Sequence, residues 1–244
     1  MLLSVVIPAH NEESSLPETL HTLYRTLSEA EISHEILVVD DHSKDNTAEV
    51  LRSLSNQIPT LRWAKNTTPN GFGYAVRYGL DHCKGACVGV FMADLSDSPE
   101  DLVRYYRLLQ EGYDCAFGTR FSKGGSTKEY PFLKWWINRI VNHAVRLTFR
   151  YDYDDTTNAF KLYKREVIQG IGPLLSPHFN LTLEMPLKAI IRGYSFAVVG
   201  ITWKNRTSGV SKLQLKEMGS RYFFIFLYCL IEKYFSKGDY RVRK

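Results

Sequence analysis

Three short apolar runs, each stopped by a polar cluster, constrain this chain more than any other feature. Leu2–Ile7 stops at Pro8 and leads into Ala9-His10-Asn11-Glu12. Glu35–Val39 stops at Asp40-Asp41, and Val88–Met92 stops at Ala93-Asp94, with Leu95-Ser96-Asp97 behind it. Runs of this length read as strands buried on both faces, as in a parallel sheet. Leu61–Ala64 and Asp114–Gly118 add two more. Between them the apolar spacing turns helical: Leu16, Leu20, Leu23, Tyr24 and Leu27 share one face. Ser43–Leu54 reads as a helix with Ser43 or Asp45 near its start, and Gly71–Leu80 as one opened by glycine. Ser98-Pro99-Glu100-Asp101 starts another: a cap, a proline at the first position, acids in the first turn. This alternation predicts an α/β fold, a mostly parallel central sheet with helices on both faces. The second half reads differently. It has a long helix pattern (Leu133, Trp136, Ile137, Ile140, Ala144, Leu147), a strand near Ala159–Tyr163, a helix near Leu181–Arg192 and a strand near Phe196–Trp203.

In open α/β sheets a ligand sits outside the carboxyl ends of the strands. The three polar clusters therefore converge on one edge. A dinucleotide fold would need a glycine-rich turn after the first strand, and Pro8–Glu12 has no glycine. Gly71-Phe72-Gly73 lacks the third glycine of that fingerprint, and no Walker-type Gly-Lys-Ser/Thr occurs. Carboxylates stand at the edge instead, which points to a divalent cation bridging to phosphate. Asp94, Ser96 and Asp97 offer hard oxygen ligands of the kind that suit Mg²⁺ or Mn²⁺.

Charge is split along the chain. Residues 1–119 hold nine Lys and Arg against 17 Asp and Glu. Residues 120–150 hold seven against one, and residues 201–244 hold 10 against three. Such asymmetry calls for an anionic partner: a nucleotide diphosphate, an anionic membrane surface or nucleic acid. Nucleic acid is disfavoured, because the acidic edge repels phosphate unless a metal intervenes. The chain's 244 residues suit one large domain with an appendage, needing no staple. The four cysteines show no paired zinc spacing and read as reduced thiols of a cytosolic protein. Met1–Ile7 is too short for a secretory leader. The longest apolar run, Tyr222–Ile231, is too short to span a bilayer. It reads either as a helix packed on the core or, favoured by its aromatic girdle and by Lys212, Lys216 and Arg221 before it and Lys233, Lys237, Arg241, Arg243 and Lys244 after it, as an interfacial helix on anionic lipid.

Six motifs in order now carry a resemblance over nearly the whole chain. They are Val5-Val6-Ile7-Pro8-Ala9-His10-Asn11-Glu12; Val38-Val39-Asp40-Asp41-His42-Ser43-Lys44-Asp45 with Thr47; and Gly71-Phe72-Gly73-Tyr74-Ala75. After them come Gly118-Thr119-Arg120-Phe121, Trp136-Ile137-Asn138-Arg139, and Asn205-Arg206 with Gly209-Val210-Ser211-Lys212-Leu213. Together they resemble an inverting family 2 glycosyltransferase of the GT-A (nucleotide-diphospho-sugar transferase) fold, most like its dolichyl- or polyprenyl-phosphate mannosyltransferase branch. The sequence departs from that pattern where Met92 replaces the first acid of the family's Asp-x-Asp, where Ser96 replaces a common Gln, and where His42 stands for a common Gly.

The resemblance implies roles. Pro8, Ala9, His10, Asn11 and Glu12 would line the nucleotide sugar, with Val39, Asp40 and Asp41 against base and ribose and Ala93 and Ser96 nearby. Asp94, with Ser96 and Asp97, would hold Mg²⁺ or Mn²⁺ on the donor diphosphate. Arg120, Arg206 and Lys212 would grip phosphate oxygens, while Asn138 and Arg139 would take the acceptor phosphate; Asp94, Arg120 and Arg139 form the catalytic set. The implied reaction moves a hexose, with mannose from GDP-mannose favoured and glucose from UDP-glucose next, to a polyprenyl phosphate at the cytoplasmic face of a membrane. A lipid phosphate is already largely anionic near pH 7, so it needs no strong base. That leaves His10 and His143 as packing or contact residues. Two alternatives stand beside this reading. A sugar-hydroxyl acceptor in glycan or cell-surface polysaccharide synthesis would need a base, with Asp154 or Asp155 as candidates. Met92 also makes a non-catalytic nucleotide-sugar-binding protein conceivable. The division expected is 1–212 as the transferase domain and 213–244 as a basic, aromatic C-terminal amphipathic helix and tail.

Overall fold

The structure, a computed structural model, describes residues 1–122, 124–128, 130, 132–204 and 215–242. The elements of the first half are β1 (Leu3–Ala9), α1 (Leu16–Glu29), β2 (His34–Asp40), α2 (Thr47–Ser55), β3 (Leu61–Lys65), α3 (Phe72–His82), β4 (Cys87–Val90), α4 (Pro99–Gln110) and β5 (Cys115–Thr119). After them come β6 (Ser126–Lys128), α5 (Phe132–Phe149), β7 (Lys161–Lys164), α6 (Arg165–Gly170), α7 (Leu181–Ile191), β8 (Phe196–Gly200), β9 (Thr202–Lys204) and α8 (Leu215–Phe235).

The main sheet runs β3-β2-β1-β4-β7-β5-β8. The chain walks outward from β1 through β2 to β3, then returns to β4 on the other side of β1. This reversal opens a crevice at the carboxyl ends of β1 and β4. Every pairing in the sheet is parallel except those of β7, which lies antiparallel between β4 and β5. Strand alternation divides the core. Leu3, Val5 and Ile7 pack with α1 and α4, while Val6, Leu37 and Val39 pack with α3 and α7. A third cluster joins Val145 and Phe149 of α5 to Leu183 and Leu187 of α7 and to Ile225 and Cys229 of α8. All four cysteines are buried thiols.

Three features differ from the sequence reading. The helix expected from Ser43 starts at Thr47, because Asp45 Oδ1 takes both the Thr47 backbone N–H (3.1 Å) and its hydroxyl (2.5 Å). The strand expected over Phe196–Trp203 is two strands in two sheets, β9 pairing with β6. The break falls at Gly200, where the backbone of Gly124 and Gly125 comes so close that a Cβ would lie 2.4 Å from it. The antiparallel β7 has no signature in an apolar pattern, which gives burial but not direction.

Glu35 fastens the sheet from within. On β2, it accepts the Ser4 hydroxyl of β1 (2.6 Å), Arg62 Nη1 of β3 (2.6 Å) and the backbone N–H of Lys84. Burial alone would raise its pKa, but these hydrogen bonds outweigh it and hold the carboxyl below its ordinary value. A depressed carboxyl stabilises the fold above its unfolded pKa, and that contribution is lost as pH falls through the folded one. Glu35→Gln is expected to cost about 1–3 kcal/mol at pH 7, the range for hydrogen bonds to a charged group. In urea melts the gap between variant and wild type should narrow toward pH 3; a gap independent of pH would contradict this account.

Candidate active site

The crevice at the ends of β1, β2 and β4 is built from turns. Each carries one non-glycine residue in the left-handed region: Asn11 (φ 55°), His42 (φ 61°) and Leu95 (φ 51°). Such conformations cost about 1–2 kcal/mol per residue and cluster where backbone shape serves a site. At His42 the φ value explains why a glycine would be at ease there.

Asp41 organises the side of the crevice at the ends of β1 and β2. It is 4% exposed. Its Oδ1 accepts Asn66 Nδ2 (2.7 Å) and lies 3.3 Å from His42 Nδ1, while Oδ2 accepts the Gly71 N–H (2.8 Å) and Asn70 Nδ2 (3.1 Å). Its backbone N–H reaches the carbonyl of Ala9 (2.7 Å), and its own carbonyl lies 2.6 Å from His10 Nδ1. Asp41 therefore joins the β1 and β2 turns to the start of α3. Asp40 Oδ1 holds the Ser43 N–H (3.0 Å) and Asn11 Oδ1 holds the Lys44 N–H (2.7 Å). Glu12 is placed by its N–H on the Thr47 hydroxyl (2.9 Å) and accepts the Ser15 hydroxyl (2.8 Å). Pro8 is the penultimate residue of β1, paired with Val39. Val39 itself is wholly buried, so its side chain underlies the crevice instead of lining it. Asn66 and Asn70 were not singled out in the sequence. Their signal was the polar turn Asn66-Thr67-Thr68-Pro69-Asn70-Gly71 after the third strand.

At the end of β4, Ala93 is buried and its carbonyl accepts the Thr19 hydroxyl (2.8 Å). Partly exposed Asp94 accepts the Ser96 N–H on Oδ1 (3.1 Å). Asp97 is 3% exposed, accepts the Met92 N–H, and has one carboxylate oxygen, Oδ2, with no hydrogen-bond partner among the described residues. Burial, then the neighbouring Asp94, pushes its pKa up to about 7. An orphaned buried oxygen beside a second carboxylate fits a hard cation, and Mg²⁺ is commonly held by one or two carboxylates plus substrate phosphates. The described residues contain no group of three or more His, Cys, Asp or Glu able to hold a metal unaided. A cation here would need the phosphates to complete its shell.

Across the crevice lies the basic side. Arg120, just past β5, makes a two-pronged pair with Asp155: Nε to Oδ2 and Nη2 to Oδ1, both 2.7 Å. The side chains are 8% and 0% exposed. Phe121, Tyr130 and Trp203 surround the guanidinium at 5.2–6.0 Å. Asp155 outweighs the effect of burial and raises the guanidinium pKa, so the cation is permanent. Arg139 of α5 donates to the Asp154 carbonyl (3.0 Å), pairs with its carboxylate (3.4 Å) and stacks over Phe121 (4.6 Å). Asn138 Nδ2 donates to the Thr157 hydroxyl (2.9 Å). The 154–157 segment thus gathers Arg120, Asn138 and Arg139. Arg206 and Lys212, assigned to phosphate in the sequence, lie outside the described residues, and so does the boundary at 212/213.

The chain matches the family model for glycosyl transferase family 2 over residues 4–172 and belongs to that family. It is 32% identical over 220 residues to the dolichol-phosphate mannosyltransferase of Pyrococcus furiosus, which covers 88% of this chain and 60% of the relative. It is 30% identical over 215 residues to the polyprenol monophosphomannose synthase of Mycolicibacterium smegmatis, covering 86% and 80%. The chain thus spans three fifths of the Pyrococcus relative's length. Among solved structures, glucosyl-3-phosphoglycerate synthase from Mycobacterium tuberculosis, in complex with Mn²⁺ and uridine-diphosphate-glucose, aligns with a TM-score of 0.70 at 16% identity. That alignment covers 95% of this chain and 78% of the other. The fold is GT-A, as the sequence motifs implied.

Breaking the Arg120–Asp155 pair from one side would strand a buried charge. Asp155→Ala is expected to cost about 3–5 kcal/mol. The double variant Arg120→Met/Asp155→Leu should be less destabilised than Asp155→Ala. Urea denaturation of the set checks this, and a double variant worse than Asp155→Ala would contradict the pair's electrostatic role.

Proposed function

We propose that this chain is a glycosyltransferase that moves a hexose, mannose by preference, from a nucleotide-diphosphate sugar to a polyprenyl phosphate. The observation that carries the reading is the position of Arg139. It stands where the crevice meets an exposed apolar stripe on its own helix. On α5, Phe132 (76% exposed), Trp136, Ile140 and Leu147 recur at helical spacing. On α8, Phe223, Leu227, Ile231, Tyr234 and Phe235 do the same. The helices are joined by Tyr234 OH to the Thr148 carbonyl (2.6 Å) and by Phe149 edge-on to Phe226. A cation at the root of an apolar stripe suits a ligand with an anionic head and a hydrocarbon tail. The relatives named for dolichol-phosphate and polyprenol substrates support the same acceptor class.

The chemistry follows from charge. Asp41 and its partners shape the nucleotide side, and Asp94 faces the diphosphate. Mg²⁺ or Mn²⁺ held by Asp94, with Asp97 and Ser96 behind it, would neutralise charge building on the leaving diphosphate. Arg120 is locked by Asp155 and supplies a fixed positive field. Arg139 holds the acceptor phosphate, whose oxygen attacks the anomeric carbon. Arg206 and Lys212 add phosphate contacts in this reading. The sugar-hydroxyl alternative needs a general base, and both candidates are engaged. Asp155 gives both oxygens to Arg120, and Asp154 accepts the Thr119 hydroxyl (2.6 Å) while pairing with Arg139. The arrangement therefore favours an acceptor that arrives already ionised.

No helix among the described residues is long and apolar enough to cross a membrane. We infer that the α5 and α8 stripes, with their basic flanks, rest on an anionic membrane surface at the cytoplasmic face.

Purified protein given GDP-mannose, Mg²⁺ or Mn²⁺ and a short polyprenyl phosphate should form an organic-soluble labelled product. Asp94→Ala is expected to lower the rate at least 10²-fold, the scale for losing one preorganised electrostatic element. Arg139→Ala should chiefly raise the KM for the lipid phosphate. Donor binding without product would point instead to a sugar-hydroxyl acceptor or a binding protein. Separately, Phe132→Glu/Phe235→Glu should reduce cosedimentation with phosphatidylserine vesicles; unchanged sedimentation would remove these helices from the membrane contact.

A further inference from the structure

Lys161 is the least expected residue in the interior. It opens β7 and is 1% exposed. In the sheet it pairs with Val90 of β4 and Phe117 of β5, the last rungs before the Asp94 and Arg120 turns. Because β7 runs antiparallel, its first residue lies at the crevice edge and not at the far end. Among the described residues the ammonium touches no carboxylate. It donates to the carbonyls of Thr156 (3.0 Å), Asn158 and, more loosely, Thr182 (3.5 Å). The groups facing it are Asp155 and Asp97, which attract it, Arg120, which repels it, and the Tyr153 ring at 5.8 Å. Burial pushes its pKa down to about 7. A buried ammonium without a carboxylate contact is costly, and a methionine would fill the same space without that cost.

What the ammonium holds is the segment that supports both arginines. Its ligands Thr156 and Asn158 flank Thr157, which takes the Asn138 amide, and they follow Asp154 and Asp155 directly. That segment is laid across the end of β5: Tyr153 OH (2.9 Å) and Asn158 Nδ2 (3.1 Å) both donate to the Gly118 carbonyl. The third carbonyl, from Thr182, belongs to the first turn of α7 and gives the tie a fixed point outside the loop.

We propose that Lys161 is a positioning residue, which clamps the 154–158 segment to α7 and thereby sets Arg139 for the acceptor phosphate. The acceptor half of this statement rests on the function proposed above, and the clamp does not. Lys161→Met, Lys161→Gln and Lys161→Arg test it in the full chain, the second serving if the first is insoluble. Amide hydrogen exchange should accelerate at least tenfold in peptides covering 154–158 in the Met and Gln variants, with β1 and β2 unchanged. Affinity for a short polyprenyl phosphate should fall about tenfold, while affinity for the nucleotide sugar stays within twofold. Lys161→Arg, which keeps a cationic donor, should recover part of both losses. Unchanged exchange at 154–158 would overturn the clamp. Faster exchange with wild-type lipid-phosphate affinity, or donor and acceptor affinity falling together, would overturn its role at the acceptor side. If wild-type protein binds no lipid phosphate, the acceptor reading fails, and the exchange measurement still decides the clamp.

Discussion

The Asp155 carboxylate is the interaction on which the basic half of the crevice depends. Both its oxygens are spent on Arg120, and no part of it reaches solvent. Removing two charges from water costs several kcal/mol per ion, and only good geometry with further hydrogen bonds offsets it. Those conditions are met: the contacts are short, the Arg120 backbone N–H also reaches Asp155 (3.1 Å), and aromatic rings cover the guanidinium. A buried pair of this kind adds little stability compared with a hydrocarbon core. Its contribution is direction. It fixes the turn after β5, and Asp154 beside it fixes Arg139 on α5.

The two sides of the crevice divide the charge seen in the sequence. The acidic first half supplies Asp40, Asp41, Asp94 and Asp97 at the ends of β2 and β4. The basic 120–150 stretch supplies Arg120 and Arg139 opposite them. A wholly acidic crevice would repel a diphosphate, and a wholly basic one would hold product too firmly. In the proposed reading, a cation and its phosphates sit against one wall while an anionic acceptor approaches the other.

Much of this architecture was legible from apolar runs and their terminators. Burial on both faces of the sheet leaves runs such as Val5–Ile7 and Ile36–Val39 with no polar residue, and proline or aspartate ends them where the crevice begins. The place of Ala9 to Glu12 and of Asp40 and Asp41 at the strand ends was legible for the same reason. What escaped the sequence depends on distant partners. The direction of β7 is set by its neighbours β4 and β5, not by its own four residues. Asn66 and Asn70 matter only because Asp41 comes back to meet them. Lys161 looks like an ordinary strand lysine until the fold encloses it. Met92 was legible as a departure from the family pattern. Beside it, the orphaned oxygen of Asp97 became visible only in three dimensions.

The central claim is that one crevice holds a diphosphate against Asp94 and a lipid phosphate against Arg139. A crystal structure with Mn²⁺, a guanosine diphosphate and a short polyprenyl phosphate tests it directly, with anomalous scattering to locate the manganese. The account predicts an anomalous peak at Asp94, bridged to the diphosphate, and the lipid phosphate at Arg139 with its tail leaving along α5. A lipid phosphate bound away from Arg139, or a diphosphate seated with no cation at Asp94, would contradict it.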